Sequence, residues 1–387
     1  MMFSPRALRL QWKEYKRFQA LEQKARLITF YAEDVASMMY FEAIIKELTN
    51  VMGYKICYLT SAMDDPVLSS DNAKIEAFYI GDGMVRTMLF MNLETDVMVM
   101  TMPDLENLYI KRSRLYPVHY VYLFHSIVST LVTDLKGAFD HYDTILCVGP
   151  HHMKEIRLTE SFYKLKPKRL VEHGYGRLDK LLENKPADLF GEKNEHLAKK
   201  HILIAPSWGK RGLLEGSHGT KLVEVLLDAG YKVTVRPHPC TIRNAPKIMR
   251  ALEKRFRDNP NFSLERDVRS QASFYNAQCM ISDWSGVAME YAFVLERPVI
   301  YIDVPKKIRN PHFKDVLSDP IDFSIRNEIG VTVSPDNFSN IPHTIERLYE
   351  NADNFRERIS KIKSQTVFNI GRSGVVGAKA IVEILQK

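Results

Sequence analysis

The sequence predicts an α/β protein of two doubly wound, Rossmann-like domains whose parallel sheets face a cleft. Three observations predict it. Short apolar runs alternate with helical patterns along most of the chain, the signature of parallel strands covered by helices. These units fall into two similar sets, separated by a polar, charged stretch at 181–200 that reads as a linker. Several runs also end in a polar turn that opens directly into a helix. In open parallel sheets, ligands bind at such strand ends.

The elements follow in order. Residues 5–26 place Arg6, Arg9, Lys13, Lys16, Arg17, Lys24 and Arg26 around Leu8, Trp12, Tyr15 and Phe18, which recur at helical spacing. This basic amphipathic arm (1–26) is either a surface helix packed on the next domain or one that lies on an anionic membrane surface. The first domain, 27–180, starts with strand 27–31. Asp34 is placed to cap a helix at about 35–49, and Gly53 to end it. Further strands read at 54–59, 77–80, 97–102, 118–123, 144–148 and 169–172. Residues 115–133, free of Asp, Glu, Lys and Arg, read as a buried strand running into a loop, too short to span a membrane. The second domain, 201–370, offers strands at 201–205, 232–236, 262–264, 278–282 and 299–302, with helices at about 220–229, 245–257 and 287–295 and a helical turn at 271–276. A terminal helix (371–387) closes the chain.

Composition narrows the function. The chain has 387 residues, 45% hydrophobic and 26% charged, which is ordinary globular usage. The four cysteines form no CxxC pair, so a cysteine zinc site or redox motif is not expected, and a reducing cytoplasm is the expected compartment. No apolar signal segment stands at the N-terminus. A net charge of +7 points to an anionic partner.

Four stretches carry chemistry. In ISDWSGVAMEY (281–291) a strand ends at Ser282, and the turn through Asp283, Ser285 and Gly286 opens a helix. Unpaired backbone N–H groups and the helix dipole make this a phosphate site, although Ser285 could merely cap the helix. Glu290, one turn on, is placed to reach a ribose hydroxyl. In VTVRPHP (233–239), Arg236 ends a strand and two prolines fix His238; Arg236 or Arg243 can pair with phosphate. The glycine-rich loop 204–219 adds Lys210 and Arg211 but matches neither a P-loop nor a dinucleotide fingerprint. In the first domain His125 and Glu33 each follow a strand and are candidate bases. His151 and His152 do not read as a metal pair.

These segments resemble the CDP-glycerol glycerophosphotransferases, the teichoic-acid and capsule polyol-phosphate transferases of GT-B fold. The family's W-H-G, G-x-P-R-x-D, P-T-W-R, R-x-H-P and S-D-Y-S-S segments look like Phe124–Ser126, Gly174–Asp179, Pro206–Gly209, Arg236–Pro239 and Ser282–Gly286. Ser126, Gly209 and Gly286 depart from those patterns. The resemblance implies that an acceptor hydroxyl attacks the polyol-linked phosphorus of a CDP-activated donor and CMP leaves. It implies His125 as the general base, with Glu33 its rival. Ser207, Arg236, His238, Ser282, Asp283, Ser285 and Gly286 would hold donor phosphate, and Trp208 and Glu290 the nucleotide. No metal or cofactor is expected, and nucleic acid is not an expected partner. The expected acceptor is lipid-linked or a glycopolymer, met at the cytoplasmic membrane face. A GT-B nucleotide-sugar enzyme, either a glycosyltransferase or a UDP-sugar 2-epimerase, is the alternative. A non-enzymatic nucleic-acid- or membrane-binding protein is the third reading.

Overall fold

The computed structural model describes residues 5–187, 201–267 and 270–386. Most of the linker read at 181–200 lies outside the described residues. Strands β1 (Ile28–Ala32), β2 (Ile56–Thr60), β3 (Ile75–Tyr79), β4 (Val97–Met100), β5 (His119–Leu123), β6 (Thr144–Cys147) and β7 (Arg169–Glu172) form one sheet, in the order β3-β2-β1-β4-β5-β6-β7. Strands β8 (His201–Ile204), β9 (Lys232–Val235), β10 (Phe262–Leu264), β11 (Cys279–Ser282), β12 (Val299–Ile302) and β13 (Gly330–Val333) form a second, in the order β10-β9-β8-β11-β12-β13. Neighbours pair in parallel throughout. Of these strands only β13 was not expected. It is a four-residue edge strand, opened by a glycine and only half apolar in pattern.

Helices cover both faces, so the central strands are apolar throughout. Their few polar atoms find partners on a neighbouring strand or just before one: Thr29 Oγ1 meets Thr95 Oγ1, ahead of β4, at 2.9 Å, and His201 Nε2 meets Thr234 Oγ1 on β9 at 2.9 Å. In both sheets the strand order reverses at one point, between β1 and β4 and between β8 and β11. Chains leave those two strands in opposite directions and open a crevice at their carboxyl ends. The loops that follow β1, β5, β8, β9 and β11 carry the expected candidates.

The basic arm is not separate from the first sheet. Helix α1 (Pro5–Gln19) packs on β3 and buries Tyr15 and Phe18, the latter edge-on to Phe78 at 5.3 Å. Its apolar side is therefore covered by protein, while Arg6, Arg9, Lys13 and Lys16 stay exposed. Arg26 is buried against Glu94. After β1, Asp34 accepts from the N–H groups of Ala36 and Ser37, as its capping role predicts. The helix it starts has three parts: a 3₁₀ turn, α2 (Met38–Lys46) and a π-type turn through Val51.

The stretch 115–133, beyond α3 (Met84–Met91) and β4, differs from its reading: Leu115 and Tyr116 are exposed, β5 starts only at His119, and the loop ends in α4 (Thr130–Thr133). Helices α5 (Pro150–Tyr163) and α6 (Gly176–Glu183) complete this half. The terminal helix, Ser373–Leu385, returns to the first sheet. It crosses α2 so closely that a side chain at Gly374 would meet the Ala43 carbonyl.

Candidate active site

Between the two sheets lies a cleft of about 440 Å³. The second domain lines it with the ends of β8, β9, β11 and β12. After β8, the chain runs through Pro206, Ser207 and Trp208. The Ser207 N–H donates to Asp283 Oδ1 at 2.6 Å, and Leu213 and Trp284 N–H groups donate to the same carboxylate. One buried aspartate thus clamps two strand-end loops together. Gly209 turns the first loop with φ of +128°, a conformation that excludes most side chains. After β11, Ser285 and Gly286 stand at the start of the helix Val287–Leu295 and face the cleft.

After β9, Arg236 and His238 face the same space. His238 Nδ1 accepts from the Cys240 N–H at 3.0 Å and so caps the helix Pro239–Asn244. That bond places the imidazole proton on Nε2, leaving it as a donor. Burial, with Lys307 and Arg243 nearby, pulls the His238 pKa down to about 4. His238 is therefore a neutral N–H donor at neutral pH, not a cation. The positive charge comes from Arg177, Arg236, Lys307 and Arg309.

The first domain presents a different set: Glu33 after β1, His125 after β5, and Tyr40, Tyr122 and Asp134. His125 opens to the cleft but is ringed by protein. This desolvation lowers its pKa, against a hydrogen bond to the Thr101 backbone. Tyr122 Oη lies 3.3 Å from its Nδ1, and Tyr175 Oη donates to its carbonyl at 3.1 Å. The next loop is held from behind: His151 Nε2 meets the Ile127 carbonyl at 2.7 Å and His152 Nε2 the Val128 carbonyl at 2.9 Å. The neutral imidazole of His125 is thus fixed in place and able to accept a proton. Glu33 also faces the cleft, and desolvation followed by the Asp34 charge raises its pKa.

The domains touch across the cleft. Glu290 accepts from Tyr175 Oη and Arg177 Nε, both at 2.8 Å. Asp322 accepts from the Ser129 N–H at 2.7 Å, and burial raises its pKa to about 7. A side chain on Gly286 would lie 2.7 Å from Ser126 Oγ. Two of the three departures from the family pattern, Ser126 and Gly286, therefore face each other across the cleft.

Several expectations need correction. Ser282 and Asp283 are fully buried and do not line the cleft. Ser282 Oγ donates to the Ala205 carbonyl, and Asp283 is spent on backbone amides. They shape the loops after β8 and β11 from beneath. Glu290 is no free ribose ligand, because both its oxygens are engaged by the first domain. Lys210 and Arg211 point outward, and Arg243 is absent from the lining. Lys307 and Arg309 were missed although they follow β12, a strand end like the others. Asp179, in the segment Gly174–Asp179, accepts from the N–H groups of Gly371 and Ser373 and so holds the start of the terminal helix.

Two doubly wound domains that face a cationic, helix-ended cleft define a GT-B-like fold. Comparison with known proteins goes further. Residues 125–309, just under half of the chain, match the family model described as CDP-glycerol:poly(glycerophosphate) glycerophosphotransferase. The resemblance carried by the motifs thus extends over the stretch that builds the cleft, and there the chain is similar to the CDP-glycerol glycerophosphotransferases. No curated relative matches the sequence. Among solved structures, the wall teichoic acid polymerase TagF is similar at 16% identity and TM-score 0.59, covering 98% of this chain and 95% of its own. UDP-GlcNAc 2-epimerase from Methanocaldococcus jannaschii, solved with UDP-GlcNAc and UDP, is similar at 14% identity and TM-score 0.56, covering 93% and 99%. These likenesses bear on the fold.

Proposed function

We propose that this enzyme transfers a polyol phosphate, such as glycerol phosphate, from a CDP-activated donor to an acceptor hydroxyl and releases CMP. The observation that carries this reading is the division of labour across the cleft. An anion site with Arg236, a neutral His238 donor and a helix start faces a neutral imidazole, His125, on the other domain. The acceptor O–H attacks the polyol-linked phosphorus. His125 takes its proton, the bridging P–O bond breaks, and its electrons leave on CMP. Arg236, His238 Nε2–H, Ser285 and the helix amides stabilise the charge as it moves onto the leaving phosphate. Ser207 and Trp208 complete the donor side, and Glu33 is the rival base.

The acceptor is a lipid-linked or glycopolymer hydroxyl. The outward face of α1, with Arg6, Arg9, Lys13 and Lys16, would meet the anionic lipid surface that carries it, each charge contributing about 1 kcal/mol. Among the described residues no helix is long and apolar enough to cross a membrane. The GT-B nucleotide-sugar reading remains the second one, because a fold shared with a UDP-bound epimerase places no limit on the base.

Thermal shift with CDP-glycerol, CDP, UDP and UDP-GlcNAc tests the donor. The cytidine compounds should raise the melting temperature more than the uridine ones. A reversed order would transfer the enzyme to the nucleotide-sugar class.

A further inference from the structure

We propose that Lys307 is a donor-phosphate-binding residue, set over Trp208 by a loop that the first domain clasps at Asn310. This rests on the donor reading above and adds a residue to it. The loop after β12 has no regular structure, yet it is pinned at both ends. Near its start, the Val304 carbonyl accepts from Trp284 Nε1 at 3.0 Å. At its end, Asn310 is buried and its Nδ2 donates to the Leu131 carbonyl at 2.9 Å, while the Arg309 N–H donates to the Val132 carbonyl at 2.9 Å. Those two carbonyls belong to α4 in the other domain. The position of the loop therefore depends on contact between domains.

Between the pins, Lys307 turns inward and Lys306 outward. Lys306 Nζ sits 3.9 Å over Phe323, and Lys307 Nζ 4.6 Å over Trp208 in the cleft. Among the described residues no carboxylate lies within ion-pair distance of Lys307. A half-buried ammonium held by an indole face alone is under-compensated, and an arriving phosphate would supply the missing counter-charge. Burial pulls its pKa down to about 8, with Asp283, Cys240, Arg309 and Glu215 as its charged or titratable neighbours and His238 close by. A lysine suits this place, because it offers phosphate a compact point charge.

The test is calorimetric affinity for CDP and UDP at pH 7 and pH 9. The proteins are wild type, Lys307→Ala, Lys307→Arg, Asn310→Leu and the Lys307→Ala/Asn310→Leu double variant. Lys307→Ala should weaken binding tenfold or more. Lys307→Arg should bind within threefold of wild type and, unlike wild type, keep its affinity at pH 9. The double variant should bind no worse than Lys307→Ala, since the clasp acts through the lysine. Affinity of Lys307→Ala within twofold of wild type would overturn the proposal, and a full additional loss in the double variant would overturn the clasp. Tight binding of UDP but not CDP would overturn the cytidine reading alone, because the effect of Lys307 is then read with UDP. Wild type that binds neither overturns both.

Discussion

The two domains share a sheet plan but present opposite chemistry to the cleft. The second domain offers backbone amides at a helix start, a fixed N–H donor and three cations. The first offers an imidazole, carboxylates and tyrosines. Among the described residues its one cation there, Arg177, is engaged by Glu290 of the other domain. On the proposed reading, equal topology thus yields an anion-holding half and a proton-handling half. Strand-end loops set the difference, since the sheets beneath are apolar in both. The contrast also predicts which property each mutation should change.

The largest effect should come from the proton-handling half. His125→Ala should lower turnover about 10²–10⁴-fold while CDP affinity stays near wild type. Steady-state kinetics beside binding would show the split. Abolition of turnover by Glu33→Gln, with His125→Ala merely halving it, would pass the role to Glu33. The pH profile sharpens this. Because the His125 pKa is lowered, its base form persists as pH falls past the ordinary histidine value near 6.5, and the acid limb should lie below that value.

In the anion-holding half, effects should be about tenfold or more and appear in donor binding. Ser285→Ala removes a hydroxyl bound to a charged group, about 1.5–3 kcal/mol. His238→Asn is more selective: asparagine is a good N-cap, so the melting temperature should hold while CDP affinity falls. A melting temperature many degrees lower, with affinity kept, would make His238 a structural residue.

Much of this was readable in advance. Alternating apolar runs marked all the strands except β13, whose opening glycine and exposed threonine weaken the pattern. Strand-end placement put His125, Glu33, Arg236, His238 and Ser285 at the cleft, and all five line it. It misjudged Ser282 and Asp283, because a residue at a strand end can point into the cleft or fold beneath it, and spacing does not distinguish the two. It also misjudged Glu290, since partners 113 and 115 residues away in sequence lie in another domain. Lys307 lacked a motif, although a basic pair after an apolar strand was a usable signal.

The smaller effects lie where the halves meet and at the edge. Gly286→Ser should cost about 1–3 kcal/mol through its clash with Ser126, and Ser126→Gly in the same chain should recover most of it. A double variant no better than Gly286→Ser would mean that the contact is incidental. Smallest is the outer face of α1: Lys13→Gln should weaken co-sedimentation with anionic liposomes by about 1 kcal/mol and leave turnover on a soluble acceptor unchanged. Sedimentation equal to wild type would remove α1 from the membrane contact.

The central claim is that one half holds a cytidine diphosphate donor while the other takes a proton from the acceptor. Mass spectrometry of the products after chromatography that separates the sugar-nucleotide epimers tests it most directly, with CDP-glycerol and UDP-GlcNAc supplied together to wild type and to His125→Ala. The account predicts CMP and a phosphoglycerol-extended acceptor from wild type, a hundredfold or greater loss of both in the variant, and UDP-GlcNAc recovered intact. Release of UDP or epimerisation of the sugar nucleotide, with CDP-glycerol untouched, would contradict it.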